Sequence, residues 1–278
     1  MARTTDTRIA EQWRNDPARV EAISRVVPEE TPVGIVYDSL PYAVVMATPQ
    51  DVADLAIGFT VSERIAAHAD IEDIRISEHE DGLVADILLR KSARKSKTWV
   101  RQRTIEGRSS CGLCGVQSLK DAVRPIAPLP DGLVVRREGI QAAVDALETQ
   151  QPLGRQTRAT HAAAWADASG AILAVREDVG RHNALDKLIG ASLQGGLDPA
   201  RAFIVVTSRC SYEMVEKAAA AGVSLLVAIS APTALAIRKA EECGMTLAAL
   251  ARSDGHALFS RPDRVVDAAA ADVQGVTA

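Results

Sequence analysis

The chain has 278 residues, enough for one large domain or two ordinary ones around a real hydrophobic core. Apolar residues make up 47% of it and aromatics only 3%, so Ala, Val, Leu and Ile must build that core. A net charge of −4 excludes a global basic field of the kind that attracts nucleic acid, and no stretch approaches the roughly 20 apolar residues that span a bilayer.

The first 20 residues are polar and charged, lack the apolar centre of a secretory signal, and read as a frayed tail. Residues 33–37 and 43–46 read as a strand pair turning around 38–41. Thr48 and Pro49 then open a predicted helix, with Thr48 as cap, Pro49 in the first turn and Val52, Leu55, Ala56 and Phe59 at helical spacing. Residues 71–77 and 83–89 form a second predicted strand pair around Asp81 and Gly82. A basic run from Arg90 to Arg108 follows, with eight Lys/Arg and one acid, Glu106. Inside it 98–105 reads as a strand, which leads to the segment Cys111-Gly-Leu-Cys114 and a predicted helix over 116–123. The Pro-containing stretch 125–130 marks a domain boundary.

The second half alternates regularly. Strands are predicted at 171–176, 203–207, 223–229 and 246–251, and helices at 183–189, 212–221 and 233–243. Gly222 and Gly244 close the last two helices. Almost wholly apolar strands separated by helices imply parallel β-α-β units. The expected fold class is α/β, with a mostly parallel sheet in the C-terminal domain and a smaller N-terminal α+β domain. The expected boundaries are a tail at 1–20, domains at 21–127 and 128–266, and a C-terminal tail at 267–278.

In a parallel sheet all strand ends of one kind share an edge, and ligands bind there. The loops on that edge are 177–183, 208–211, 230–233 and 252–255. They are polar and rich in small residues; all but 230–233 carry an arginine, and three precede a helix N-terminus. Together they read as a phosphate-binding edge, with Arg181, His182, Ser208, Arg209, Ser230 and Thr233 as contacts; singly, each serves equally well as a cap or turn. His182 and His161 fit a ligand contact or a histidine bonded to backbone.

Four cysteines in a chain without a secretory segment point to a reducing cytoplasm. There Cys111 and Cys114 read as redox, metal-binding or sulfur-handling groups. A structural zinc site needs four ligands, and Cys210 and Cys243 have no matching spacing, which argues against zinc. A thiol near Arg108 and a helix N-terminus is favoured as thiolate, the form that attacks a disulfide or persulfide. Spacing leaves dithiol redox and sulfur relay both open. Cys210 and Cys243 read as small buried hydrophobes.

Several long motifs, in order, resemble one family. They are Thr48-Pro with Asp54-Leu-Ala-Ile-Gly-Phe59 and Glu63; Arg108-Ser-Ser-Cys-Gly-Leu-Cys-Gly115; Arg176-Glu-Asp-Val-Gly-Arg-His-Asn-Ala-Leu-Asp-Lys187; Ser208-Arg-Cys-Ser-Tyr-Glu-Met-Val-Glu-Lys217; and Ser230-Ala-Pro-Thr-Ala-Leu-Ala236. From about Thr31 to about Arg264 the chain is similar to the FdhD family, the formate dehydrogenase accessory sulfurtransferases.

The resemblance implies a cytidine deaminase-like C-terminal domain without the zinc chemistry, and a homodimer. A cysteine desulfurase would load sulfur on Cys111 as a persulfide, with Cys114 as auxiliary thiol. The protein would pass that sulfur to the molybdenum cofactor in its bis(molybdopterin guanine dinucleotide) form, for use by the formate dehydrogenase catalytic subunit. A guanine nucleotide such as GDP would mimic the cofactor. By motif alignment the cofactor-binding stretch falls on Leu250, Ala251, Arg252, Ser253, Asp254 and Gly255, and the family usually places an aromatic where Leu250 stands. The rivals are a cofactor chaperone without sulfur chemistry and a dithiol oxidoreductase. No nucleic-acid or membrane partner is expected.

Overall fold

A computed structural model describes residues 3–94 and 123–267. The strand predicted at 98–105, Cys111, Cys114, the helix predicted at 116–123 except for Val123, and the C-terminal tail beyond Asp267 lie outside the described residues.

The N-terminal lobe is a four-stranded sheet in the order β4-β3-β6-β5. Its strands are β3 (Thr31–Tyr37), β4 (Leu40–Ala47), β5 (Ile71–His79) and β6 (Gly82–Leu89). Both predicted strand pairs are antiparallel neighbours, and β3 runs parallel to β6. Alternation puts Val33, Ile35 and Tyr37 of β3, and Leu83, Ala85, Ile87 and Leu89 of β6, on one buried face. The helix α1 (Val52–Ser62) covers that face with Leu55, Ala56 and Phe59. A short helix, α2 (Lys91–Arg94), follows β6.

The predicted frayed tail is instead a paired hairpin of β1 (Thr5–Asn15) and β2 (Ala18–Pro28), so the boundary drawn at residue 20 cuts through a strand. The sequence hid it because neither strand carries a continuous apolar face. Ile9, Trp13 and Val20 are largely exposed.

The C-terminal lobe centres on a six-stranded sheet in the order β13-β12-β11-β10-β8-β9. Its strands are β8 (His161–Asp167), β9 (Ile172–Asp178), β10 (Ala202–Val206), β11 (Leu225–Ala228), β12 (Thr246–Arg252) and β13 (Gly255–Ser260). The sheet is not purely parallel. β8 lies antiparallel between β10 and β9, and β13 is antiparallel to β12. Because β8 reverses direction once on each side, β9 still runs with β10, β11 and β12. β7 (Val135–Arg136) and β14 (Val265–Val266) make a small parallel pair.

Helices cover both sheet faces. One face packs Ile140, Ala143 and Leu147 of α3 (Arg137–Thr149) against Ala164, Phe203 and Val205. The other packs Leu185 and Leu188 of α5 (Arg181–Gly195), Met214 of α6 (Tyr212–Ala220) and Ala236 and Ala240 of α7 (Ala234–Cys243) against Trp165, Ile204 and Leu226. The short α4 (Pro152–Thr157) sits before β8. Gly222 (φ 79°) and Gly244 (φ 73°) take the left-handed conformation after α6 and α7, as their positions predict.

The two lobes meet where α1 crosses α5. A Cβ added to Gly58 would lie 1.7 Å from the Asp186 carbonyl, and one added to Gly190 would lie 2.0 Å from that of Asp54. Only glycine lets the two backbones come this close. Among the described residues no helix is long and apolar enough to cross a membrane.

Candidate functional site: one sheet edge and the stem of the cysteine segment

The C-terminal ends of β9, β10, β11 and β12 and the N-terminal end of β8 share one edge. At about 4.8 Å per strand, this edge runs roughly 19 Å from β12 to β9. α5, α6 and α7 all begin on it, so three sets of free backbone N–H groups and three positive dipole ends face the same side.

Main-chain bonds draw three of the edge loops together. Cys210 N–H donates to the Ala231 carbonyl at 3.2 Å, Thr233 N–H to the Cys210 carbonyl at 2.9 Å, and Leu250 N–H to the Ser230 carbonyl at 3.2 Å. Thr233 acts as a cap, its hydroxyl accepting from Ala236 N–H at 3.2 Å. Ser208 is buried and its hydroxyl donates to the Arg209 carbonyl, so it shapes the loop. Arg209, Arg252, Ser253 and Asp254 are exposed, while Ala251 is buried. Leu250 is 44% exposed and holds φ at 54°, a conformation that costs a bulky residue about 1–3 kcal/mol. That kink falls where the β12–β13 register shifts, between Ala249 and Arg252, and the pair closes again at Arg252 and Gly255, the latter at φ 139°. Among the described residues neither Arg181, Arg209 nor Arg252 forms an ion pair, and the Arg181 Nε is buried without a hydrogen bond.

The loop 177–183 turns most of its polar atoms inward. Glu177 accepts from Leu153 N–H at 2.9 Å and Gly154 N–H at 2.6 Å, holding the start of α4. The buried Asp178 carboxylate accepts from Thr48 N–H, Gly180 N–H and Asn183, and pairs with the fully buried Lys187 at 2.7 Å. Lys187 also donates to the Thr48 carbonyl at 2.9 Å. Thr48 does not cap α1; its hydroxyl accepts from Val179 N–H, while Asp51 occupies the cap position and its side chain makes no bond to the helix N–H groups. The predicted cap therefore ties the N-terminal lobe to the edge loop. His182 pairs with Glu213 at 2.7 Å and joins the starts of α5 and α6. His161, first in β8, is half-buried beside Arg181; burial and then the Arg181 charge hold it below the ordinary histidine value.

A second buried network sits under the α1 terminus. Lys217 donates to Asp186 at 2.9 Å, to Glu63 at 3.1 Å and to the Ser62 hydroxyl at 2.9 Å. Burial alone would depress the Lys217 pKa, but Asp186 and Glu63 raise it above the ordinary lysine value, so it stays charged. Burial alone would raise Glu63, but Lys217 and Arg124 hold it below the ordinary carboxylate value. Arg124, ten residues past Cys114 in the sequence, bonds Glu63 and Tyr212. Sequence reasoning missed Lys187 and Lys217 as structural charges. The available signal was a lysine flanked by Leu185, Leu188 and Ile189, or by Val215 and Ala218, on an apolar helix face. Cys210 and Cys243 are buried, and burial pushes the Cys210 thiol up to about 12.

Taken together, the chain is a two-lobed α/β protein with a polar sheet edge on which three helices begin, and a cysteine pair that falls in the sequence between the two lobes. It belongs to the FdhD/NarQ family, whose model matches residues 28–266. A protein of Xanthomonas euvesicatoria pv. vesicatoria (strain 85-10) named sulfur carrier protein FdhD is 45% identical over 253 residues, covering 91% of this chain and 90% of that one. A protein of the same name from Cupriavidus necator H16 is 45% identical over 240 residues, covering 86% of this chain and 83% of that one. A crystal structure from Desulfotalea psychrophila, described as that of a candidate formate dehydrogenase accessory protein, is 21% identical with a TM-score of 0.74. It covers 95% of this chain and all of its own, and shows the same α/β fold.

Proposed function

We propose that this protein is a cytoplasmic sulfur carrier serving formate dehydrogenase, with Cys111 as the sulfur acceptor. Family membership and relatives named as sulfur carriers support the carrier role. The observation that carries the mechanism is the place of Arg124. It is pinned to Tyr212, the first residue of α6, beside the 208–211 loop of the edge. Cys114 stands ten residues earlier, so it lies within about 35 Å of that point along even a fully extended chain.

In this reading the Cys111 thiolate attacks the outer sulfur of a persulfide on a cysteine desulfurase. The S–S bond breaks, the desulfurase thiolate leaves, and Cys111 carries the sulfane sulfur. Release of that sulfur as sulfide requires two electrons. Attack of the Cys114 thiolate on the inner sulfur supplies them and leaves a Cys111–Cys114 disulfide, which an external thiol reduces. The molybdenum cofactor in its bis(molybdopterin guanine dinucleotide) form is the substrate that receives the sulfur. Its phosphates suit Arg181, Arg209 and Arg252 and the N-termini of α5, α6 and α7. Its guanine suits 250–255, and GDP would occupy the same place. A homodimer completes the proposal, and formate dehydrogenase takes the loaded cofactor.

Intact-protein mass spectrometry after incubation with a cysteine desulfurase and cysteine tests it on the unaltered chain, Cys111→Ala and Cys114→Ala. One added sulfur that persists in Cys114→Ala, is lost in Cys111→Ala and is stripped by reductant is the expected result. No added sulfur on any of the three, with an active desulfurase, removes the carrier mechanism.

A further inference from the structure

Thr48 stands between β4 and α1, in the N-terminal lobe, yet its N–H, hydroxyl and carbonyl all bond to the sheet edge of the other lobe. The N–H donates to the Asp178 carboxylate at 3.0 Å, the hydroxyl accepts from Val179 N–H at 3.2 Å, and the carbonyl accepts from Lys187 at 2.9 Å. Two residues earlier, the Met46 carbonyl accepts from the Asn183 side chain at 2.7 Å. Thr48 is fully buried, so water does not compete for these bonds. The segment that makes them is itself held. The Thr48 carbonyl also accepts from Gln50 N–H at 2.8 Å, and α1 follows at once and crosses α5 in close backbone contact.

Only Val179 and Gly180 separate the end of β9 from the start of α5. A peptide group turns as a plane about the two soft dihedrals beside it, and a glycine makes that turn easier still. The direction in which α5 and its first residue, Arg181, meet the edge therefore depends on what fixes these two planes. Residue 48 reaches both. Its hydroxyl takes the Val179 N–H directly. The Gly180 N–H donates to Asp178 at 2.7 Å, and Asp178 is anchored in turn by the Thr48 N–H and by Lys187.

We propose that Thr48 is a positioning residue of the ligand edge: from the N-terminal lobe, its hydroxyl on Val179 and its N–H on Asp178 hold the peptide groups that aim Arg181 and the start of α5. The consequence for a ligand rests on the nucleotide-binding reading above, and the hold rests on the bonds just given. Arg181 forms no ion pair among the described residues, so the backbone that carries it sets its direction. A charge-assisted bond to a phosphate depends on that direction, and it weakens when the carrying peptide turns even if the chain stays folded. The edge thus takes one of its fixed points from the other lobe.

The test compares the unaltered full chain with Thr48→Val, which keeps the shape but loses the hydroxyl, and with Thr48→Ser, which keeps the hydroxyl. Amide hydrogen exchange resolved by nuclear magnetic resonance reads the hold without any ligand. Thr48→Val is expected to speed exchange at both Val179 and Gly180 by about five-fold, the equivalent of one hydrogen bond, and Thr48→Ser to return both to the unaltered rate. Faster exchange confined to Val179 makes the hydroxyl a local partner and overturns the proposal, as does no change at either amide. Should Thr48→Val fail to fold, Asn183→Ala, which frees the loop from Met46, decides on the same two amides. Isothermal titration calorimetry with GDP reads the consequence. Thr48→Val is expected to bind about five-fold more weakly and Thr48→Ser as the unaltered chain does. A merely structural role would lower Tm and leave the GDP affinity of Thr48→Val unchanged, and that result overturns the aiming of Arg181. An unaltered chain that binds no GDP instead defeats the nucleotide reading and leaves the exchange comparison to judge the hold.

Discussion

Gly58→Ala puts the junction of the lobes under direct strain. The new methyl carbon would stand 1.7 Å from the Asp186 carbonyl, so α1 and α5 must separate by roughly 1.3 Å to reach even 3.0 Å, the closest that real contacts come. The obstacle is backbone inside a helix and cannot rotate away. Overpacking of this kind costs about 1–3 kcal/mol and occasionally more. Alanine recovers about 1 kcal/mol through its better helix propensity. Taking the upper end of the strain leaves a net loss near 2 kcal/mol, or a fall in Tm of roughly 4–8 °C for a protein of this size. Differential scanning calorimetry measures it, and Gly195→Ala is the control. Gly195 also lies in α5 but has nothing within 4 Å of an added Cβ, so the same substitution should leave Tm unchanged or slightly raised. Gly58→Ala and Gly190→Ala together should cost less than the sum of the two, because the first already parts the helices the second would part. A Gly58→Ala chain that melts at or above the unaltered temperature would refute the close crossing.

Two further outcomes follow from the buried charges and from the histidines. Lys187→Met leaves Asp178 buried without its cation and should cost about 3–5 kcal/mol; adding Asp178→Asn should recover most of it, and a double variant no better than the single would sink this account. Burial, and then Arg181 or Arg137 respectively, lowers the pKa of His161 and His256 below the unfolded value of about 6.5. Between the folded and unfolded values the unfolded chain binds more protons, so stability rises with pH there and is lost on acidification below about 6.5. His161→Gln with His256→Gln should flatten the fall in Tm between pH 7 and 5.5, and an unchanged slope would contradict the assignment.

The sequence by itself determined what depends on local pattern. Period-two alternation marked β3, β4, β5 and β6, and apolar runs closed by glycine marked β10 to β12 with α6 and α7. The polar residues after those strands announced an edge, because strands of one direction end together. Tertiary structure decided what each polar residue there does. Thr48 reads locally as a cap, yet it bonds Val179, more than a hundred residues away. Asp178, Asn183 and Lys187 have the composition of a ligand loop, but they bond one another and the other lobe. The β1–β2 hairpin is set by strand pairing without an apolar stripe, so no periodicity betrayed it. The antiparallel β8 was invisible for the same reason that it matters: pairing direction is a long-range choice, and it puts His161 on the edge. Backbone approach at Gly58 and Gly190, and the convergence of Glu63, Tyr212 and Glu216 on Arg124, arise only when segments far apart in sequence pack together.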